Sequence, residues 1–387
     1  MRVVYPIHQV WGSTFAPFNA LQRVSHTSSG FNPLALPGAP VYLDLDITIQ
    51  PRSGEGYPFT IQARGGDARG VFVFPEDEAF QQLLARLARL EADEAMLQAI
   101  GRRLFAALFH GPARDVLART QGLCAEGQQL RLKLSIAAEE GKLAALPWEL
   151  LDDPDGGPLV LTNTPLVRYL PVSARVPTVA TTLPLKVLLT AAASGGRDGS
   201  AALAEAQAGL QSLGPHAQIT VEPQLSMPIF QRRLREGYQI WHFVGQGRAG
   251  GLLFHDNRAV SAAQLGVLLG SSGVRLVLLD ASADTHLATD PFRALAPALM
   301  KTQIPTVIAM QFSAPDSGAA FAGEFYRALA EGLPIDTCVT EGRRAVMGVA
   351  GLERPDWATP VVYSRAPDSQ LFAVPQGDLP AKIITLG

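Results

Sequence analysis

Two stretches decide the fold of this chain: Ile240-Trp241-His242-Phe243-Val244-Gly245-Gln246-Gly247, and Leu276-Val277-Leu278-Leu279-Asp280-Ala281-Ser282-Ala283-Asp284. Each is an apolar run of strand length that ends in small and polar residues. Open α/β sheets bind their ligands just beyond the carboxyl ends of such strands. The two stretches therefore predict a candidate site at the point where their strands end.

Alternating strand and helix patterns surround these stretches from residue 184 onward. Near-continuous apolar runs predict strands at 185–191, 218–222, 238–244, 274–280 and 304–310. Helical periodicity predicts helices at 200–213, 226–236, 261–269, 291–301, 316–331 and 334–348. This alternation is typical of a parallel sheet covered on both faces. Residues 359–363 and 370–374 have the pattern of a hairpin that closes one edge of the sheet.

The chain divides into three regions. Residues 1–40 are rich in Ser, Asn, Gly and Pro, which predicts an irregular N-terminal arm. Residues 41–172 begin with the alternation of an antiparallel meander over 41–75 and continue with helices and further strands, which predicts an α+β region. The most linker-like stretch is 172–183, which places an α/β domain at 184–387.

Composition excludes several classes of protein. The 387 residues carry a net charge of −3 without a block of Lys and Arg, which argues against a nucleic-acid partner. The start lacks the apolar core of a signal peptide, and no uncharged run is long enough to span a membrane. Two cysteines form no disulfide framework, and no grouping has zinc-ligand spacing. We therefore expect a cytoplasmic protein without membrane contact, metal or cofactor.

Five ordered segments resemble CHAT domains, the bacterial branch of the caspase-like protease clan that also includes separase and caspases. The resemblance covers roughly residues 40–375. Its segments are Leu146-Pro147-Trp148-Glu149-Leu150-Leu151, Leu166-Val167-Arg168-Tyr169-Leu170-Pro171, the two opening stretches, and the run from Ile308-Ala309-Met310-Gln311 through Phe325-Tyr326 to Arg343-Arg344. It implies a caspase-like three-layer α/β/α sandwich with a mostly parallel sheet, preceded by an α+β region. Trp148, Glu149 and Arg168 are expected to be structural.

The chain departs from the family pattern at the two residues that carry the chemistry. The resemblance implies a catalytic His at position 246 and a nucleophilic Cys at position 282, where this chain has Gln246 and Ser282. Glutamine has no group that titrates near neutral pH and cannot act as a general base. A serine without a base is a poor nucleophile. The resemblance therefore implies a degenerate dyad.

Two other histidines are candidate bases for Ser282. His242 precedes Gln246 by four residues on the same face of a strand, about 13 Å away along that strand. This distance favours a structural histidine. His286 follows Ser282 by four residues, and nothing in the sequence holds it near the hydroxyl.

The expected lining of the cleft is His242, Gly245, Gly247, Asp280, Asp284 and His286. Asp280 lies two residues before the implied nucleophile, where members of the clan often contact the side chain that precedes the cleaved bond. An acidic residue at this position suits a basic substrate side chain. Alternatively, it holds the loop at the end of the strand.

Three functions remain open on the sequence. The first is a pseudoprotease that binds a protein partner, such as an active CHAT protease, in a bacterial defence or signalling system. The second is an active endopeptidase, whether its residues at 246 and 282 arose by engineering or by divergence to a serine nucleophile. The third is a scaffold in which the fold forms a homo-oligomer and the cleft has no role.

Overall fold

The computed structural model describes residues 40–125, 127–137, 139–170, 176–181, 183–192, 199–211, 213–248, 250–281, 291–302, 304–312 and 317–373. The predicted arm at 1–40 lies outside these residues except for Pro40. The division into regions at 1–40, 41–172 and 184–387 stays a prediction.

The described residues contain eighteen strands and ten α-helices. The strands are β1 (Val41–Ile49), β2 (Tyr57–Ala63), β3 (Gly66–Phe72), β4 (Gln128–Ile136), β5 (Asp152–Asp153), β6 (Gly157–Pro158), β7 (Leu166–Tyr169), β8 (Val179–Ala180), β9 (Leu185–Ala191), β10 (Ala217–Glu222), β11 (Ile240–Gly245), β12 (Gly247–Arg248), β13 (Gly251–Leu253), β14 (Ala259–Ser261), β15 (Leu276–Ala281), β16 (Thr306–Met310), β17 (Pro360–Ser364) and β18 (Phe372–Ala373). The helices are α1 (Glu78–Ala88), α2 (Glu94–Leu108), α3 (Pro112–Gly122), α4 (Gly141–Ala144), α5 (Gly199–Gln211), α6 (Met227–Leu234), α7 (Ala262–Leu269), α8 (Pro291–Lys301), α9 (Gly318–Ala330) and α10 (Ile335–Ala350).

Eleven of these strands form one central sheet in the order β10-β9-β11-β15-β16-β17-β7-β4-β1-β2-β3. The strands from β10 to β16 run parallel, β17 is antiparallel to β16, and β17, β7, β4 and β1 run parallel to one another. At the other end of this central sheet, β1, β2 and β3 form an antiparallel meander. The sheet is therefore mostly parallel, and the predicted α/β fold class is confirmed.

The central strands β11 and β15 are apolar on both faces because helices cover both. Trp241, Phe243, Val277 and Leu279 pack in one cluster with residues of α6, α7 and α8. The alternate residues of the same strands, such as Ile240 and Leu278, pack in a second cluster with residues of α5, α9 and α10. Such a strand cannot show the hydrophobic and polar alternation of a half-exposed strand. These are the three layers that the resemblance implies.

The predicted closing hairpin at 359–363 and 370–374 is wrong. Strand β17 lies inside the sheet, with β16 on one side and β7 on the other. All five of its residues are buried, whereas an edge strand would leave its outer side open. Strand β18 pairs instead with the short β8, whose residues fall within the predicted linker at 172–183. In the central sheet, β17 thus lies between the strands that precede residue 170 in the sequence and the other strands that follow residue 184.

Candidate functional site

The two opening stretches end side by side. Strands β11 and β15 pair in parallel, with Val244 opposite Asp280 and Gly245 opposite Ala281. We call the edge of the sheet beyond Gly245 and Ala281 the strand-end site. Gln246 is the first residue beyond β11 at this edge. Ser282, Asp284 and His286 lie outside the described residues, so the structure tests none of their predicted roles.

Gln246 leads from the central sheet into a small three-stranded sheet formed by β12, β13 and β14. Its carbonyl oxygen accepts a hydrogen bond of 2.9 Å from the backbone N–H of Leu253. Gly247 opens β12 and pairs with Leu252. The strand-end site therefore has a wall that is tied to Gln246 by a backbone hydrogen bond.

Gly245 is needed for close packing at the end of β11. A Cβ atom there would lie 2.8 Å from the ring of Phe243 and 3.4 Å from the Cβ of Ala192. Real Cβ atoms do not approach a neighbour so closely, so a larger residue would displace the Phe243 ring. The small residue in the motif is explained by packing, independently of any ligand.

His242 is buried in the layer between the sheet and α9, with only 2% of its surface exposed. A hydrogen bond of 3.1 Å joins its Nδ1 to the hydroxyl of Tyr326 on α9. Its Nε2 has no hydrogen-bond partner in the described part of the chain. Burial lowers the pKa of His242 to about 4, because a charged imidazolium would lose its hydration there. His242 is therefore neutral at physiological pH.

Asp280, at the end of β15, has no hydrogen bond or ion pair with a basic side chain among the described residues. Its Oδ2 and the Oε2 of Glu205 on α5 both lie within 4 Å of the Cβ position built at Gly318, the first residue of α9. We call Asp280 and Glu205 the carboxyl pair. No described residue donates a hydrogen bond to Asp280. Burial, and secondarily the charge of Glu205, raises the pKa of Asp280 to about 6. Asp280 also contributes to the raised pKa of Tyr326.

A second buried polar group, the Glu149 cluster, comprises Glu149, Arg168, Gln311 and Arg343. Arg168 donates to both oxygens of Glu149, over 3.1 Å from Nε and 2.6 Å from Nη2. The Gln311 amide donates to Glu149 over 3.1 Å and to the Ala358 carbonyl over 2.7 Å. This cluster connects the segment at 146–151, strand β7 and the end of β16.

Trp148 and Arg343 complete the surroundings of this cluster. The fully buried Trp148 donates from its indole nitrogen to the Leu143 carbonyl over 2.8 Å and packs against the ring of Phe72. Arg343 is 1% exposed and donates to the Pro360 carbonyl. Burial lowers its pKa to about 10, although the charge of Glu149 opposes that shift. Two positive groups and one negative group are thus buried together.

Sequence reasoning assigned no role to four residues that these clusters bring together: Tyr326, Glu205, Gln311 and Arg343. Three of them fall in segments that carry the family resemblance, which was the only signal for them. Glu205 lies in an alanine-rich helix and had no signal, because its partner Asp280 is far away in sequence.

The structure offers no metal site in the described residues, since no group of three or more His, Cys, Asp or Glu side chains could hold an ion. Within the same residues, no helix is long and apolar enough to cross a membrane.

The sequence model of the CHAT domain matches residues 98–365, which is more than half of the chain and includes both strand ends and the Glu149 cluster. The chain belongs to the CHAT family. No curated protein matches it.

The CHAT chain is similar to solved structures of a cysteine proteinase and of a separase complex. The Arg-specific cysteine proteinase gingipain R matches with a TM-score of 0.47 and 10% identity, over 89% of this chain and 80% of that one. A complex of the Porphyromonas gingivalis RgpB pro- and mature domains matches with a TM-score of 0.45 and 12% identity, over 76% and 78%. The Saccharomyces cerevisiae separase–securin complex matches with a TM-score of 0.38 and 14% identity, over 65% of this chain and 17% of that one.

Proposed function

We propose that this CHAT protein is a catalytically inactive relative of caspase-like proteases that holds a protein partner at its strand-end site. The observation that carries the proposal is that neither candidate general base on β11 or at its end suits that role. Gln246 stands at the end of the strand, where the family resemblance implies histidine, and it cannot take up a proton. The other residue is His242.

The surroundings of His242 do not suit a general base. The ring is almost fully buried, and its Nδ1 is engaged with Tyr326. A base works best when its pKa lies near the working pH, and a pKa of about 4 leaves His242 a weak proton acceptor. His242 also lies four residues before Gln246, back along the strand from the site. These facts support the loss of base catalysis from β11.

The scaffold of the site remains built. Strands β11 and β15 are in register, and the small sheet β12-β13-β14 forms a wall. An extended peptide lying at the strand ends is the ligand that this geometry suits.

The carboxyl pair supports a preference for a basic side chain on that peptide. A guanidinium or ammonium group would offset the negative charge beside Asp280 and donate hydrogen bonds to its carboxylate. Strand addition at the edge of the central sheet is the other route to a partner. Among the described strands of the central sheet, β10 and β3 are the two at the edges and have an open side.

The partner that we propose is an active CHAT protease or another member of a bacterial defence or signalling system. This part of the proposal rests on the family alone. A homo-oligomer is the alternative, and the mass of the protein in solution over a range of concentrations distinguishes them. A monomer at every concentration would contradict the homo-oligomer.

The deciding experiment restores the implied dyad. We expect the wild type to cleave neither itself nor a peptide library, and the double variant Gln246→His with Ser282→Cys to gain cleavage. The Ser282→Ala variant is the control. Peptide turnover by the wild type that disappears in Ser282→Ala would establish an active serine-type endopeptidase and overturn the proposal. A restored variant that cleaves after neutral and basic residues equally would contradict the role of the carboxyl pair.

A further inference from the structure

A cavity of about 200 Å³ opens between α10 and the beginnings of β1 and β4. We call it the α10 cavity. It is separate from the strand-end site, because β1 lies five strands from β15, about 24 Å at the usual spacing of neighbouring strands. Both open at the same edge of the sheet, since β1 and β4 run opposite to β15 and begin where β15 ends.

Polar side chains line this cavity and are held in place. Tyr42 and Gln129 are opposite each other on β1 and β4. The Tyr42 hydroxyl is 2.9 Å from the Thr337 hydroxyl, and burial raises the pKa of Tyr42, so this hydroxyl stays neutral. Across the cavity, Arg344 donates to the Asn163 side chain over 2.9 Å. The wall is thus fixed before any ligand arrives.

One ion pair supplies the charge of the cavity. Arg344 donates from Nη1 to the Oε1 of Glu341, one turn earlier on α10, over 2.7 Å. The second oxygen of Glu341 and the second hydrogens on both terminal nitrogens of Arg344 are not used in this pair. A negative and a positive group therefore stand side by side at the cavity, and their charges cancel.

The nearby charges do not change this balance. Arg131 lies next to Tyr42 on the same face and is paired with both Asp44 and Asp336. Lys133 is also paired with Asp44. Glu341 would repel a ligand with a net negative charge, and Arg344 would repel a ligand with a net positive charge. The cavity therefore favours a ligand that carries both charges.

The volume limits the size of that ligand. About 200 Å³ equals the space of roughly seven water molecules and is smaller than the usual pocket for a drug-sized molecule. A free amino acid fits this volume and carries one ammonium and one carboxylate. The amides of Gln129 and Asn163 and the hydroxyl of Thr337 offer donors and acceptors to a short polar side chain.

We infer that the α10 cavity binds a free α-amino acid with a short polar side chain. Glu341 accepts from its ammonium, and Arg344 donates to its carboxylate. This site is independent of the strand-end site and of any loss of catalysis there. Because so small a ligand makes few contacts, we expect dissociation constants on the order of 0.1–1 mM.

Isothermal titration calorimetry of the full chain tests this inference. The probes are serine, asparagine and glutamine, each compared with its N-acetyl and methyl ester forms, which lack one of the two charges. We expect the free amino acids to bind and both capped forms to bind at least about tenfold more weakly. No heat at about ten times the expected dissociation constant, or equal binding of the capped forms, would overturn the inference.

A charge-removing variant locates the site. Glu341→Gln should weaken amino-acid binding by roughly tenfold to a hundredfold. The matched control is Glu324→Gln, which removes the acid of another i,i+3 pair, with Arg327 on α9, and should change nothing. Gln129→Tyr, which fills the cavity from the β4 side, should abolish binding even if Glu341→Gln lowers the melting temperature. Undiminished binding in either cavity variant would place the ligand elsewhere and contradict the inference.

Discussion

Glu149 is a fully buried carboxyl group of this CHAT protein and Asp280 a partly exposed one, and the charges beside them differ in sign. Glu149 accepts two hydrogen bonds from Arg168 and one from Gln311, so a cation and an amide compensate its burial. Asp280 faces the carboxylate of Glu205 and receives no hydrogen bond from a described residue. Groups with strongly perturbed pKa values and unlike surroundings are frequent at functional sites. From this comparison we expect the Glu149 cluster to stabilise the fold, and we propose that the carboxyl pair takes part in the strand-end site.

The largest effect should come from breaking the Glu149 cluster. Glu149→Ala leaves the buried guanidinium groups of Arg168 and Arg343 without a counter-charge. We expect the free energy of unfolding to fall by about 3–5 kcal/mol, measured by urea denaturation. Glu324→Ala in the exposed pair with Arg327 is the control and should cost about 0–1 kcal/mol. If the two variants lowered the free energy of unfolding equally, the Glu149 cluster would stabilise the fold no more than an exposed ion pair does.

The next effect is the acid sensitivity of His242. Its pKa is lower in the folded protein than in the unfolded chain, so its contribution to stability is present above about pH 6.5 and is lost as the pH falls toward 4. We expect the wild type to lose about 3 kcal/mol relative to His242→Asn between pH 7 and pH 4. Denaturant melts of both proteins at several pH values measure this. If the free energy of unfolding changed equally with pH in the two proteins, His242 would not be buried as a neutral ring.

The contribution of Asp280 to stability should change with pH in the opposite direction to that of His242, over a similar pH range. Its pKa is higher in the folded protein, so its contribution to stability is present below about pH 4 and is lost as the pH rises through about 6. Asp280→Asn should therefore stabilise the protein at pH 7.5 by about 2 kcal/mol and leave it unchanged near pH 4. If Asp280→Asn destabilises the protein at pH 7.5, Asp280 has a favourable partner and resembles Glu149 after all.

The smallest effect is expected for the bond between α9 and β11. Tyr326→Phe removes the partner of His242 Nδ1 and leaves that nitrogen buried without a hydrogen bond. We expect a loss of about 1–2 kcal/mol in the free energy of unfolding. The control is Tyr238→Phe, which should cost less. It removes the hydrogen bond that the Tyr238 hydroxyl donates to Glu236 and that lowers the pKa of this carboxyl group. A loss no greater than that of the control would show that the bond to Tyr326 does not hold His242.

Local pattern predicted most of the elements of the α/β half. The five predicted strands and six predicted helices after residue 184 are present, with ends shifted by at most two residues. These elements are long, strongly apolar and separated by turn residues, so their type depends little on distant partners. The hairpin at the end of the chain failed because its continuous apolar run suits an interior strand, and the sequence does not say which strands enclose it.

The sequence by itself determined the class of fold, the family and the identity of the residues at the two strand ends. Gln246 follows β11 because an apolar run ends there, and this needs no knowledge of the rest of the molecule. Tertiary structure alone decided what surrounds the interior polar groups. His242 contacts Tyr326 across 84 positions of the chain, and the charge of Glu205 on α5 acts on Asp280 on β15. The physical reason is that burial and electrostatic environment depend on distances in space, which periodicity along a chain does not encode.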